Sequence, residues 1–284
     1  MRRWAGACLL VLAACSPRSG DRVQGGIVSL NPCTDALLVE LGDRAQIAAL
    51  SSYSSTPGQS SMPLAVARSF PSTSGTMEEV LAARPSVVVS GGFTPPATSA
   101  AYRKMGVRLV ELGIASSVED SDAQIRQMAA LLGHRERGEA LVARIHAALA
   151  QAGPPAGQAP VPTLVWHGGG LVAGPHTLIS DVMARVGLAP LSATKGLSQA
   201  QYLPLEAVVA DPPALVLAVA HSGEGRSNAR AITHPVLDRL PHTSRAELDP
   251  ALEYCGGPTI IRLAQRLAEI RQSLNRQSVP REHP

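Results

Sequence analysis

Aromatic side chains are scarce in this chain, at 3% of its 284 residues. A core built from Ala, Val and Leu leaves the few rings available for other duties. Metal-binding spacing is missing too: no Cys-x-x-Cys occurs, and His134, His146, His176, His234 and His242 form no ligand pattern. A nucleophile elbow, a P-loop and a Gly-x-Gly-x-x-Gly turn are all absent, and no acid–base constellation stands out. The formal net charge is only +3 and no long basic run occurs, which argues against a nucleic-acid partner. The apolar run from Trp4 to Ala14 falls short of the ~20 residues needed to span a bilayer. What the chain does have is length for two domains of ordinary size.

The first residues read as an export segment. Arg2 and Arg3 precede the apolar run, and Leu12-Ala-Ala-Cys15 resembles the bacterial lipobox, in which the cysteine is lipidated before cleavage. Ordinary cleavage nearby, with Cys15 incidental, is the other reading. Residues 1–14 are thus expected as a lipoprotein signal peptide and 15–25 as a tether. Loss of Cys8 with the signal leaves Cys33 and Cys255. An even pair in an oxidising compartment is most often a disulfide.

One element occurs twice. Gly75-Thr-Met-Glu-Glu-Val-Leu-Ala-Ala-Arg-Pro-Ser-Val-Val-Val89 aligns without a gap on residues 203–217, placing Glu78 on Glu206, Val80 on Val208, Pro85 on Pro213 and Val88 on Val216. Each copy reads as a helix running into a buried strand, so the chain is expected to contain two similar α/β lobes. Coincidence is the competing reading of so short a match. Strand patterns at Gly26–Leu30, Ile47–Leu50, Val87–Ser90 and Arg108–Leu112 alternate with helical stretches, which implies parallel sheet. Thr76 and Glu79 have the spacing of a capping box. The stretch 51–74, rich in Ser, Pro and Gly, reads as a long loop. From Ser117 to Ala152 only helical periodicity occurs. Its second half, some ~17 residues, is long enough at 1.5 Å per residue to cross between lobes. The expected division is 26–118 for the N-terminal lobe, 119–152 for the helical connection and 160–278 for the C-terminal lobe.

Tyr53, Phe93 and Trp166 stand just past expected strands, where open parallel sheets bind ligands. Tyr202 and Tyr254 lie in loops. Together these rings suggest a cleft for a bulky, partly apolar ligand, against the alternative that each plugs its own sheet. His167 and His221 are candidate contacts, and Gly168-Gly-Gly170 could let a ligand approach the backbone. Glu78 and Glu206 sit in the first turns of their helices, where the helix dipole alone accounts for an acid. As a symmetric pair they also suit a partner with two basic sockets.

Several stretches together carry a resemblance: Ile27-Val-Ser-Leu-Asn-Pro32 before Thr-Asp, Ala49-Leu-Ser-Ser-Tyr-Ser54, Glu78-Glu-Val-Leu-Ala-Ala-Arg-Pro85, the connecting helix, Ala173-Gly-Pro175 and Gly257-Pro258. Over about residues 26–275 the chain resembles the helical-backbone periplasmic binding proteins of ABC importers, which take up vitamin B12, ferric siderophores or haem. The vitamin B12-binding member is the most similar. The resemblance implies two Rossmann-like α/β lobes with parallel sheets, joined by one long helix, in a periplasmic monomer that is not an enzyme and carries no resident cofactor. Its partners are a permease with a cytoplasmic ATPase and a small metal–organic ligand, a corrinoid such as cobalamin before an iron chelate. It makes Tyr53 a ligand contact and Glu78 and Glu206 the permease-docking pair. Ser74 and Phe93 stand near places where that member has cleft tryptophans, and its cleft arginine before the last helix is not clearly present. The family fold brings the loops of Cys33 and Cys255 near the cleft, where they are expected either to form a disulfide or to meet the ligand as thiols. Two other classes compete: an α/β enzyme working in the cleft, and a thiol redox protein using Cys33 and Cys255.

Overall fold

The computed structural model describes residues 25–92, 94–219, 240 and 242–278. Cys15, Phe93 and His221 therefore lie outside the described residues, as do the signal segment and almost all of the tether.

The first sheet contains β1 (Ile27–Ser29), β2 (Ile47–Ser51), β3 (Ser72–Thr73), β4 (Val87–Ser90) and β5 (Arg108–Glu111), in the order β3-β2-β1-β4-β5 and parallel throughout. Its central strands are valine- and isoleucine-rich and buried, as expected for strands covered on both faces. In the second sheet β6 (Val161–His167) pairs in parallel with β8 (Leu188–Pro190) on one side and β10 (Leu215–Val219) on the other, and β10 continues to β11 (Ser244–Leu248). The repeated element accounts for the likeness. Helix α3 (Met77–Ala82) feeds β4, and α8 (Leu205–Ala210) feeds β10. Each of those strands lies beside the first strand of its own sheet, β1 or β6. The second sheet is not parallel throughout. After β6 the turn Gly168–Gly170, with Gly169 and Gly170 at positive φ, reverses the chain. As a result β7 (Leu171–Val172) runs antiparallel to β6, and β9 (Gln201–Tyr202) antiparallel to β7.

Between the sheets lie α1 (Pro32–Leu41), α5 (Val118–Leu132), α6 (Arg135–Ala152), α7 (Leu178–Arg185) and the C-terminal helix Thr259–Ser278. The expected crossing helix is α6, 18 residues long and packed along α5 and the C-terminal helix. Helix α5 begins under a cap, Ser117 Oγ accepting from the Asp120 amide, and ends at Gly133, whose positive φ stops it. Strand alternation divides the apolar residues. Ile27, Val89, Val165 and Leu217 join one core that also takes in Leu38, Ile125, Met128, Ile145 and Leu267. Val28, Val88 and Tyr102 fill a separate cluster outside the first sheet, and Leu164, Trp166 and Val216 one outside the second.

The stretch 51–74 is more ordered than a loop. It holds a 3-10 turn at Ser52–Ser55, α2 (Leu64–Ala67) and the edge strand β3. The capping box is only half formed. Thr76 accepts from the Glu79 amide, but the Glu79 carboxylate reaches back to the Ser74 amide at 2.6 Å and the Thr73 hydroxyl at 3.0 Å. Those donors hold its pKa below the usual carboxylate range.

Candidate ligand-binding cleft

The carboxyl ends of β1, β2 and β6 set out the site. Beyond β1, Asn31 caps α1 by accepting from the Cys33 amide at 2.9 Å. Beyond β2, the turn Ser52–Ser55 carries Tyr53, 54% exposed. The last residue of β6 is His167, whose Nε2 lies 3.1 Å from Glu253 Oε1, both side chains being largely covered.

Loops of the two lobes meet at one side. Cys33 and Cys255 are joined in a disulfide with a Cα–Cα distance of 5.0 Å, within the ordinary range. The thiol–ligand reading is thereby corrected: sulfur bonded to sulfur offers no thiolate to a metal. The reason is local. Gly257, at positive φ, lets the Cys255–Pro258 turn lie against α1, and a Cβ there would reach Leu37 Cδ2 at 2.6 Å. Close by, the Tyr254 hydroxyl donates to the Gly58 carbonyl at 2.9 Å, Arg262 donates to the Ser61 carbonyl, and the Gly257 amide donates to Ser121 Oγ at 2.8 Å.

The rings do not all reach solvent. Trp166 is 2% exposed and packs with Leu164, Val172, Leu203 and Val208. It is a core plug rather than a free stacking surface, because alternation along β6 turns it away from the face that carries Val165. Tyr202, 74% exposed, shares with it a pocket of about 360 Å³ that includes Gly169, Gly170 and Pro204. Tyr254 is 37% exposed. Tyr53, Tyr202 and Tyr254 thus remain as accessible rings among the described residues. Glu78 and Glu206 are both exposed in the first turns of α3 and α8, and neither enters an ion pair among the described residues.

A cavity of about 1120 Å³ lies elsewhere, at the amino ends of β4 and β5 beside Gln46, Ser86, Arg108 and His134. Parallel sheets do not bind at that end, and its Asp43 carboxylate is already occupied by His134 at 3.1 Å and Arg137 at 2.9 Å. We therefore place the site at the strand carboxyl ends.

Two residues escaped sequence reasoning. Asp35 is wholly buried in the first turn of α1. Its carboxylate accepts from the Ser51 amide and hydroxyl, the latter at 2.5 Å, and from the Ser54 hydroxyl at 2.6 Å. Burial pushes its pKa up to about 6 against the opposing pull of those hydroxyls. Arg271, also buried, donates to the carbonyls of Ala152, Gly153 and Val186, closing the ends of α6 and α7. Only the acidic position after Thr34 could have pointed to the first, and nothing local to the second.

The comparisons follow this geometry. A family model described as "Periplasmic binding protein" matches residues 27–242. No curated protein matches in sequence. Among solved structures, the haem-binding protein RhuT of Roseiflexus sp. RS-1 in apo form is similar at 22% identity and a TM-score of 0.63, over 88% of this chain and 97% of that one. The haem-binding protein HutB of Vibrio cholerae is similar at 20% identity and 0.69, over 86% and 98%. The vitamin B12-binding protein BtuF of Vibrio cholerae gives 15% and 0.63, over 89% and 98%. At these identities the structures establish the two-lobed fold, and no helix among the described residues is long and apolar enough to cross a membrane. With a family model covering most of its length and this fold, the chain belongs to the periplasmic binding proteins.

Proposed function

We propose that this protein is the solute-binding component of an ABC importer and holds a metal tetrapyrrole, a corrinoid of the cobalamin type first, between its lobes. The observation that carries the reading is the placement of accessible tyrosines, Tyr53 beyond β2 of one lobe and Tyr202 and Tyr254 in the other. Rings with few rotors to freeze suit a large, flat, partly apolar ligand. Phe93 and His167 complete the proposed contact set, with Trp166 supporting it from below. A haem-type ligand is the second reading, in keeping with the haem-binding neighbours RhuT and HutB. Ferric siderophores are the third.

In this reading Glu78 and Glu206 meet cations of the permease, which works with a cytoplasmic ATPase. Cys15 carries a lipid anchor after removal of residues 1–14, and the protein acts as a monomer. The lobes span 26–118 and 160–278 with the helices of 119–152 between them.

The test is equilibrium dialysis of the purified protein against cyanocobalamin, cobinamide, hemin and a ferric hydroxamate siderophore. Dialysis is preferred to tryptophan fluorescence because Trp166 sits in the core. Saturable binding of one of the first three at a single site is expected. Binding of the siderophore alone overturns the tetrapyrrole reading, and binding of none overturns the importer reading.

A further inference from the structure

One buried carboxylate organises the whole segment that presents Tyr53. Asp35 accepts from Ser51 and Ser54 on either side of that tyrosine. Ser54 continues to Ser60 at 3.4 Å, and the Ser60 hydroxyl accepts from the Met62 amide at 3.0 Å. Between them Gly58 receives the Tyr254 hydroxyl from the other lobe. A chain of polar contacts therefore runs from α1 through residues 51–62, with the Asp35 carboxyl of α1 at its root. Asp35 is also two residues from Cys33, which ties α1 to the second lobe.

We propose that Asp35 is the positioning residue for the Tyr53-bearing segment and works as a proton-operated latch, holding residues 51–62 closed when protonated and letting them open when ionised.

Geometry gives the direction. Shut, the segment buries the carboxyl completely; open, it gives that carboxyl back to water. An ionised carboxylate gains far more from water than a neutral acid does, so ionisation favours opening. The raised pKa of the closed form, about 6, has the same meaning: the closed form binds the proton more tightly than an open one would. Closure therefore strengthens as pH falls through that value and weakens above it. The groups facing Asp35 are neutral. From β1 comes Ser29, paired with Thr34 at 2.7 Å, and from β2 and the 3-10 turn come Ser51 and Ser54. On the packed helix α5, Asp122 is engaged by His146 at 2.6 Å, while Glu40 at the far end of α1 pairs with Arg144. In the segment joined to α1 by the disulfide, Glu253 is held by His167 and Asp249 by the Ala251 amide. Among the described residues no charged side chain bonds to the Asp35 carboxylate.

That Tyr53 meets ligand rests on the proposed function, so the test has two arms. In the first, amide hydrogen exchange of residues 51–62 is measured on the whole chain without ligand, at pH 5 and pH 7.5, as protection factors corrected for intrinsic rates. Wild type should lose about tenfold protection at the higher pH, with α6 unchanged. Asp35→Asn, a permanent stand-in for the protonated acid, should keep high protection at both. Should that variant fail to fold, Ser54→Ala should lower protection at both pH values while keeping the dependence. Protection independent of pH in wild type, or an Asp35→Asn response that tracks wild type, overturns the latch. In the second arm, cyanocobalamin and hemin dialysis at the two pH values should show the same fold-change, flattened by Asp35→Asn. Exchange that responds to pH without binding of either probe rules out cobalamin and haem as the ligand and leaves the latch. Binding with exchange indifferent to pH sinks the latch alone.

Discussion

Tyr53 and Tyr202 are the two most exposed of the described rings assigned to the site, and the proposed site depends on them. Replacing either by Ala removes a stacking surface worth ~1–2 kcal/mol, so affinity for the bound tetrapyrrole should fall about tenfold in dialysis while thermal stability stays near wild type. Trp166 behaves in the opposite way. Trp166→Ala opens a cavity among Leu164, Val172 and Val208, and should cost ~3–5 kcal/mol of stability in urea melts. The contrast lies in exposure, which the sequence left open for both rings. Tyr53 follows β2, whereas Trp166 lies within β6, where successive residues face opposite sides. The pattern of β6 does not say which side is covered by helices and which by the small outer cluster. Cys33 and Cys255 were undecided for a related reason: a bond across a sequence separation of 222 depends on where two loops meet.

At the scale of elements, helical periodicity located α5 and α6, and the repeat located α3–β4 and α8–β10, because each carries a pattern long enough to read. The two-residue strands β3, β7 and β9 carry none; neighbours alone make them strands. Close approach between helices was equally hidden. A Cβ on Gly138 of α6 would stand 2.6 Å from the Ala129 Cβ of α5. Gly138→Val should therefore push the two helices apart and cost ~1–3 kcal/mol, seen as a lowered urea midpoint. Arg271 gives a second check on the same layer. Arg271→Met leaves the carbonyls of Ala152, Gly153 and Val186 without their donor and should destabilise by a similar ~1–3 kcal/mol. The Ala173-Gly-Pro175 motif has a comparable explanation, since a Cβ on Gly174 would fall 2.1 Å from the Gln199 carbonyl oxygen.

For the whole molecule, the disulfide and the shared core help join the lobes, and Glu78 and Glu206 face outward. Reducing the Cys33–Cys255 disulfide frees a very long loop in the unfolded chain and should lower stability by ~2–4 kcal/mol, measurable as a lower melting temperature in dithiothreitol. Reversing both outward acids, Glu78→Arg with Glu206→Arg, should leave ligand dialysis unchanged and abolish uptake in a transport assay with the cognate permease. An unchanged uptake rate removes these residues from docking. The central core bears on how the molecule comes apart. Side chains from β1, α1, α5, α6, β6, β10 and the C-terminal helix belong to one apolar body, so no seam separates a half that could melt while the other stands. Scanning calorimetry should accordingly record a single endotherm, its van't Hoff and calorimetric enthalpies in agreement.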